Sequence, residues 1–443
     1  MKITNSPNIL FILIDALRAK NLGCYGYSKP TSPNIDNLAR EGILFENTFS
    51  CSNVTDASLT TIFSGMYPMA HGILGHGGRW RGRPVGKVDT RKLDESGIRL
   101  LPEILKARGY ATLAVDWLGR WHKRGYNYYS GMLHEAKPLR FPLRQVEGRL
   151  NLASRRYANF QKSTIIDDAH LVTKHAKNLI AKNYDRKFFL FLHYWDLHWP
   201  YAAPAPFYKN ISSKGIGRKV LNLLRTTKGG WRRNRRILDE RITRYDASIS
   251  YVDHEIGVLV NALEKYGILD QTLVVLTSDH GESLTEHGIY FEHHGLYDVS
   301  IHVPLIFRHS AFPKNKRIAG FVQHFDLVPT ILDFLGLDKE RRFDGESVMR
   351  LIQEETSELH SAVFAEEALY QRKRAIRTAD YKYIQALSQE GAMCQRCKCI
   401  HGGIEELYDL NIDPEERQNI IEKKPSLAGE LKERISRWIN GLS

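Results

Sequence analysis

Apolar positions along the chain fall into two rhythms. NILFILID (8–15), KFFLFLHYWD (187–196) and QTLVVLTSD (271–279) are nearly continuous apolar runs of strand length that close on polar residues. A strand covered on both faces reads this way, rather than as strict alternation. SPNIDNLAREG (32–42), RLLPEILKARG (99–109) and ITRYDASISYVDHEIGVLVNALEKYG (242–267) instead space apolar residues by three and four and stop at glycine. That pattern predicts amphipathic helices. Helices alternating with buried strands predict an α/β fold with a large central mixed, mostly parallel sheet flanked by helices.

After HFDLVPTILDFLGL (324–337) the chain turns polar and charged through residue 360, and a domain boundary is expected there. A catalytic domain over 1–345 and a small C-terminal subdomain over 346–443 follow. SAVFAEEAL, RAIRTADYKYIQAL and EELYDL give the latter the strands of an antiparallel sheet, and SLAGELKERISRWINGL gives it a closing helix. Two irregular stretches, 120–162 and 202–238, read as lid or substrate insertions.

At 443 residues the chain exceeds one ordinary core, and its 42% apolar and 26% charged content is that of a globular protein. No run approaches the roughly 20 apolar residues that span a bilayer, and no signal-peptide pattern is seen, so a cytoplasmic location is expected. A net charge of +13, concentrated in the acid-free stretch Lys209 to Arg236, favours anionic partners. These include phosphate or sulfate esters, acidic glycans, lipid head groups and peripheral contact with an anionic membrane. No nucleic-acid module is recognisable, so nucleic acid is not an expected partner. Oligomeric state is left open. Five cysteines in so long a chain argue against a disulfide framework. Cys394, Cys397, Cys399 and His401 are spaced to hold one soft metal, but lack a second half-site, so a loop of reduced thiols is preferred.

Chemistry gathers at strand ends. Asp15, the pair Asp196 and His198, and the pair Asp279 and His280 each follow an apolar run. Ligands of open α/β sheets collect at the carboxyl ends of strands. A mixed oxygen and nitrogen site built there suits Mn, Zn or Mg. SNVTDASLTTIFSGMYPMAHG (52–72) brings the hydroxyls of Ser52, Thr55, Ser58, Thr60 and Thr61 to the start of a helix. Thr55 is best placed to receive both a metal and the anion-stabilising helix N-terminus. Hydroxyls further in usually bond the preceding turn.

The order of NILFILIDALRAKNLGCYGYSKPTSPNIDNLAREGILFENTFS, FSGMYPMAHG, FLHYWDLHWPY, TLVVLTSDHGESLTEHG, IHVPLIF, HFDLVPTILDFLGL and ELYDLNIDPEERQNI resembles the sulfatase family of the alkaline phosphatase superfamily almost end to end. The resemblance implies a metal-dependent ester hydrolase or transferase of alkaline-phosphatase-like fold. One divalent metal would be held by Asp15, Thr55, Asp279 and His280, with Mn or Zn favoured over Ca or Mg. In that family a Cys or Ser within C/S-x-P-S-R becomes formylglycine. Here the segment reads TDASL, with Ala57 and Leu59 in place of Pro and Arg, so formylglycine is not expected. Ala16 stands where a second Asp is usual, and His280 where Asn is usual. Phosphonate monoester hydrolases share the single Asp and the Asp-His pair. Lipoteichoic acid synthases and phosphoethanolamine transferases use unmodified threonine.

By this likeness Thr55 is the nucleophile, while His198 and His293 serve the leaving group. Arg120, His193 and His294 are candidate substrate contacts, and His71 is structural. A phospho- or sulfo-threonine cannot break down by the elimination open to a formylglycine hydrate. Phosphorus esters are therefore favoured over sulfate esters. The alternatives are a sulfatase that needs no formylglycine and a catalytically silent anion-binding homologue.

Overall fold

A computed structural model describes residues 7–80, 83–86, 88–130, 169–211, 235–338 and 343–441. Most of the 120–162 and 202–238 insertions, and with them most of the basic run 209–236, lie outside the described residues.

Strand β1 (Asn8–Ile14) is buried along its whole length, as its unbroken apolar sequence predicts. Successive side chains of a strand point to opposite faces, and β1 accordingly feeds two cores. Ile9, Phe11 and Leu13 join one core with helices α2 (Thr55–Ser64), α3 (Leu101–Ala107) and α6 (Leu327–Phe334). Leu10, Ile12 and Ile14 join the other with α1 (Pro33–Arg40), α4 (Ala169–Ala181) and the long α5 (Arg235–Lys265). The sheet between them has eight strands in the order β10-β2-β9-β8-β1-β7-β5-β6. These are β2 (Ile43–Phe49), β5 (Ala111–Val115), β6 (Tyr128–Ser130), β7 (Phe188–Tyr194), β8 (Thr272–Thr277), β9 (His302–Arg308) and β10 (Lys316–Gln323). Only β9 runs antiparallel to its neighbours β2 and β8. A short hairpin, β3 (Gly78–Trp80) with β4 (Arg83–Gly86), lies outside this sheet. The expectation of a mixed, mostly parallel α/β sheet holds, and the antiparallel strand lies inside the sheet.

The site depends on three neighbours. β1 pairs in parallel with β7 on one side and β8 on the other, with Leu13 opposite both His193 and Thr277. Parallel pairing brings the carboxyl ends of all three strands to one edge.

A second sheet of four antiparallel strands, β11 (Val363–Glu367), β12 (Lys373–Arg377), β13 (Tyr381–Ala386) and β14 (Glu405–Asp409), carries α8 (Pro425–Asn440) on one face. The short helix α7 (Met349–Ile352) still packs into the first sheet's core. Buried charge joins the two sheets. Lys382 Nζ, on a fully buried side chain of β13, reaches Asp298 Oδ1 at 2.6 Å and Glu416 Oε1 at 2.8 Å. The Asp298 amide in turn donates to Glu416 Oε2 at 2.7 Å. Removing one partner of a buried ion pair strands the others, which typically costs about 3–5 kcal/mol. Lys382→Met is expected to lower stability by that amount, read from the urea unfolding midpoint at unchanged m-value. A loss under ~1 kcal/mol would show the junction to be held by apolar contacts alone.

Candidate active site

The strand ends deliver a compact cluster. One ligand atom each from Asp15, Asp279 and His280 lies within 4.8 Å of the others, and all three residues are buried. Gly281 makes the tight passage behind His280. Its amide donates to Ser300 O at 2.8 Å, and a Cβ there would meet Val299 O at 2.2 Å. Asp279 Oδ1 accepts from the amides of His280 (2.9 Å) and Ala16 (3.2 Å). Ala16 takes the left-handed conformation, with φ 58°, that presents its amide this way.

Four of the five hydroxyls of the 52–61 run, those of Thr55, Ser58, Thr60 and Thr61, separate cleanly. Thr60 Oγ1 donates back to Asp56 O at 2.6 Å, the usual back-bond of a helical threonine. Thr61 Oγ1 lies 3.1 Å from His71 Nε2, and His71 Nδ1 accepts from the Ile73 amide, so this histidine is a buried bracket. Ser58 Oγ donates to Ser52 O at 2.8 Å and touches Ser50 Oγ, whose hydroxyl lies 2.6 Å from Asp279 O. That network ties the start of α2 to the end of β8. Thr55, the first residue of α2, has its Oγ1 3.3 Å from His280 Nε2. His280 Nδ1 lies 2.8 Å from the Gly281 carbonyl, which can only accept, so Nδ1 carries the proton. In the neutral imidazole the Nε2 lone pair then faces Thr55 and, at 3.2 Å, Asp279 Oδ2.

These residues fit a cation. Both carboxylate oxygens of Asp15 and Oδ2 of Asp279 are buried with no hydrogen-bond partner. Burial and the neighbouring Asp15 charge both raise the Asp279 pKa. Buried like charges converging on one point with an imidazole lone pair are the donor set of a divalent metal.

His193, on β7, reaches the cluster from the other side of β1. Its Nε2 is 3.5 Å from Asp15 Oδ2 and its Nδ1 2.9 Å from Asp116 Oδ1. Burial alone would lower its pKa, but the two carboxylates outweigh that and raise it to about 10. His193 therefore stands as a cation between Asp15 and Asp116. Asp116 is also held by the Tyr129 hydroxyl.

His198 stacks on Trp195 and lies 5.5 Å, ring to ring, from His293, which in turn lies 4.3 Å from His280. Burial, followed by neighbouring histidines, lowers the pKa of His293 well below its usual value. Burial likewise lowers that of His198. Asp196 turns elsewhere and accepts from the Ala169 amide at the start of α4. His294 meets His401 and Tyr370 rather than the Asp15 cluster.

Arg120 pairs with Asp56, the residue after Thr55. The sequence reading missed what surrounds it. His122 Nε2 lies 3.0 Å from Asp56 Oδ1, His76 Nδ1 lies 3.4 Å from Oδ2, and the Gly77 amide donates to Oδ2 at 2.9 Å. Although burial opposes it, His122 and His76 hold the Asp56 carboxyl far below the usual range. His122 sits two residues past Arg120 in GRWH, and Asp116 closes the apolar run ATLAVD, so both carried the signals already used elsewhere.

Comparison with known proteins shows the family. The family model described as Sulfatase matches residues 7–337, and that described as N-sulphoglucosamine sulphohydrolase, C-terminal, matches residues 285–440. A sulfatase of Formosa agariphila is 26% identical, covering 94% of this chain and 83% of the relative. Human iduronate 2-sulfatase is 27% identical over 74% of this chain and 65% of its own length. An N-acetylglucosamine-6-O-sulfatase of Bacteroides thetaiotaomicron is 23% identical over 95% and 83%. Among solved structures, the phosphonate monoester hydrolase of Agrobacterium radiobacter superposes with TM-score 0.72 at 18% identity, covering 99% of this chain and 96% of its own. A protein solved with its substrate D-glucosamine-2-N,6-O-disulfate superposes with TM-score 0.71 at 20% identity, covering 99% and 98%.

Buried carboxylate oxygens left without a hydrogen bond predict a cation-dependent gain in stability. After chelator treatment, Mn²⁺, Zn²⁺, Ca²⁺ and Mg²⁺ are added singly and thermal unfolding is followed. A fitting cation at a hundredfold over its Kd adds about 2.7 kcal/mol. The double variant Asp15→Asn, Asp279→Asn loses that gain. No difference between the variant and the native chain for any of the four would deny the cluster a metal role.

Proposed function

Because the chain belongs to the sulfatase family of the alkaline phosphatase superfamily, and is an ester hydrolase of that kind, we propose that it cleaves sulfate esters with the Thr55 hydroxyl as nucleophile. The relatives named as sulfatases move the preference from phosphorus to sulfur. One observation carries the choice of nucleophile. Of the hydroxyls at 55, 58, 60 and 61, that of Thr55 faces His280 in the Asp15 cluster, while those of Ser58, Thr60 and Thr61 are engaged elsewhere.

A divalent cation held by Asp15, Asp279, His280 and Thr55 would neutralise the ester's charge and favour deprotonation of the threonine. His198 and His293 stand beside the cluster, with the His293 ring 4.3 Å from that of His280, where a histidine can relay the Thr55 proton to the departing alcohol. Thr55 Oγ1 forms a bond to sulfur as the ester bond to the alcohol oxygen breaks, and the histidine returns its proton to the departing alcohol. Water then displaces the threonine oxygen at sulfur, releasing sulfate and restoring the hydroxyl. The amides at the start of α2 stabilise the anionic group during both displacements.

A sulfated saccharide is the substrate class that fits best. Two relatives are named for sulfated sugars, and one structural neighbour holds a disulfated glucosamine. A cavity of about 370 Å³ is lined by Trp199, Tyr290 and Phe291, with Arg241 and Arg396 beside them. Aromatic faces and guanidinium groups suit an anionic sugar. A second reading, cleavage of phosphate or phosphonate esters, draws on the unmodified threonine and on the phosphonate hydrolase neighbour.

Metal-loaded protein is assayed against sulfated glucosamines, aryl sulfates, aryl phosphate diesters and phosphonate monoesters. Sulfate-ester turnover is expected, and Thr55→Ala should lower kcat/KM by roughly 10³-fold or more. Quenched reactions should carry the transferred group on the peptide containing Thr55, detected by mass. A fully active Thr55→Ala enzyme removes the nucleophile. Turnover of phosphorus esters alone replaces the first reading with the second.

A further inference from the structure

The segment CQRCKCIH (394–401) carries chemistry that ester cleavage does not use. It folds back on itself: Met393 pairs with Ile400, Cys394 N donates to Cys399 O at 2.9 Å, and Lys398 N donates to Cys394 O at 2.9 Å. Lys398 takes the left-handed conformation, φ 61°, that closes such a turn. The turn holds Cys394 and Cys397 together and brings His401 Nε2 within 3.0 Å of Cys397 Sγ. A fourth group arrives from the catalytic half of the chain. One ligand atom each from His294, Cys394, Cys397 and His401 lies within 4.8 Å of the others. Cys399 points out to solvent and takes no part.

Two further observations point to a ligand. His401 Nδ1 lies 3.1 Å from the His287 carbonyl, which can only accept, so the proton sits on Nδ1 and the Nε2 lone pair turns to Cys397. That outer contact is the one that orients metal-bound histidines. All five cysteines are free, so no disulfide accounts for the pair. Ligand atoms of tetrahedral Zn(Cys)₂(His)₂ stand about 3.3–3.8 Å apart, given bonds of ~2.3 Å to sulfur and ~2.0–2.1 Å to nitrogen. The cluster's ligand atoms, all within 4.8 Å of one another, close by no more than roughly 1–1.5 Å to match.

We infer that His294, Cys394, Cys397 and His401 form a closed, four-coordinate zinc site that fastens the C-terminal loop to the wall of the ester-cleaving site. His294 and Cys397 line the cavity beside Trp199, which gives the ion an entry path. The site is structural, since four protein ligands leave no open position. Its effect on the first site passes through the backbone. His294 follows His293, and Asn53 Nδ2 donates to the carbonyls of both His293 (2.9 Å) and Gly295 (3.2 Å). Anchoring His294 on zinc from the far side fixes the peptide that aims His293. The inference does not depend on whether sulfur or phosphorus is attacked.

The full chain is purified, dialysed against a weak chelator and analysed for metal, with about one zinc per chain expected to remain. Zinc-edge X-ray absorption should show sulfur neighbours at ~2.3 Å, and the cobalt-substituted protein an intense thiolate-to-metal band. Cys394→Ser and Cys397→Ser should lose that band and the retained zinc. Cys399→Ser should keep both, as should Asp15→Asn with Asp279→Asn, which separates this ion from the one in the first site. Zinc retained with only nitrogen and oxygen neighbours overturns the inference. So does a Cys394–Cys397 disulfide in the intact mass, or equal loss of zinc in Cys399→Ser. Should Cys397→Ser fail to fold, the spectra of the native chain still decide.

Discussion

Two carboxylates buried side by side set the terms for the active site. β1 and β8 run in parallel with Leu13 opposite Thr277, so residues two positions further on, Asp15 and Asp279, must leave the sheet together. At the separation the cluster shows, two full charges repel by on the order of 3–4 kcal/mol even at an effective dielectric of 20. The surroundings supply what offsets this. β7 contributes the His193 cation against Asp15, and the amides of Ala16 and His280 serve one oxygen of Asp279. The oxygens left over converge where a divalent cation belongs. The left-handed Ala16, the tight passage at Gly281 and the serine network from Ser50 to Asp279 O are the backbone conditions for holding that arrangement.

Much of this was legible because it is written in strand ends. NILFILID, KFFLFLHYWD and QTLVVLTSD announce buried parallel strands, and a polar residue directly after such a run has little choice but to sit at the sheet's carboxyl edge. That logic found Asp15, Asp279 and His280, and applied to ATLAVD it would have found Asp116. It misjudged Asp196 because periodicity does not reveal which way a side chain turns once the strand has ended. Asp196 instead meets the first amide of α4, a helix that follows a long insertion. Which strand of the mixed sheet runs antiparallel was out of reach, since IHVPLIF reads the same in either direction.

Long-range pairing of polar residues was the harder part. His294 sits next to His293 in sequence, yet the two rings face different clusters: one meets His280 and His198, the other His401 and Tyr370. CQRCKCIH by itself offers four ligands, and spacing alone cannot say that Cys399 drops out while a histidine from the loop after β8 takes its place. Only the contact between the C-terminal sheet and the loop after β8 decides that. The buried Lys382 bridge to Asp298 and Glu416 belongs to the same junction, so both charge and metal chemistry gather where the two sheets meet.

The departures from the family pattern in TDASL become intelligible as one change. Where the pattern has arginine, Leu59 packs with Ile62 and Phe63 in the main core, fully buried, and no cation could stand there without displacing that core. Positive charge reaches the start of α2 by another route, from Arg120, which meets Asp56 together with the imidazoles of His122 and His76. Asp56 fixes that group beside Thr55 and absorbs part of its charge. The first turn of α2 thus keeps a hydroxyl, free amides and a nearby cation while lacking the arginine and proline of the usual motif. Those three features are what nucleophilic attack on an anionic ester requires of that turn, whichever residue type supplies the oxygen.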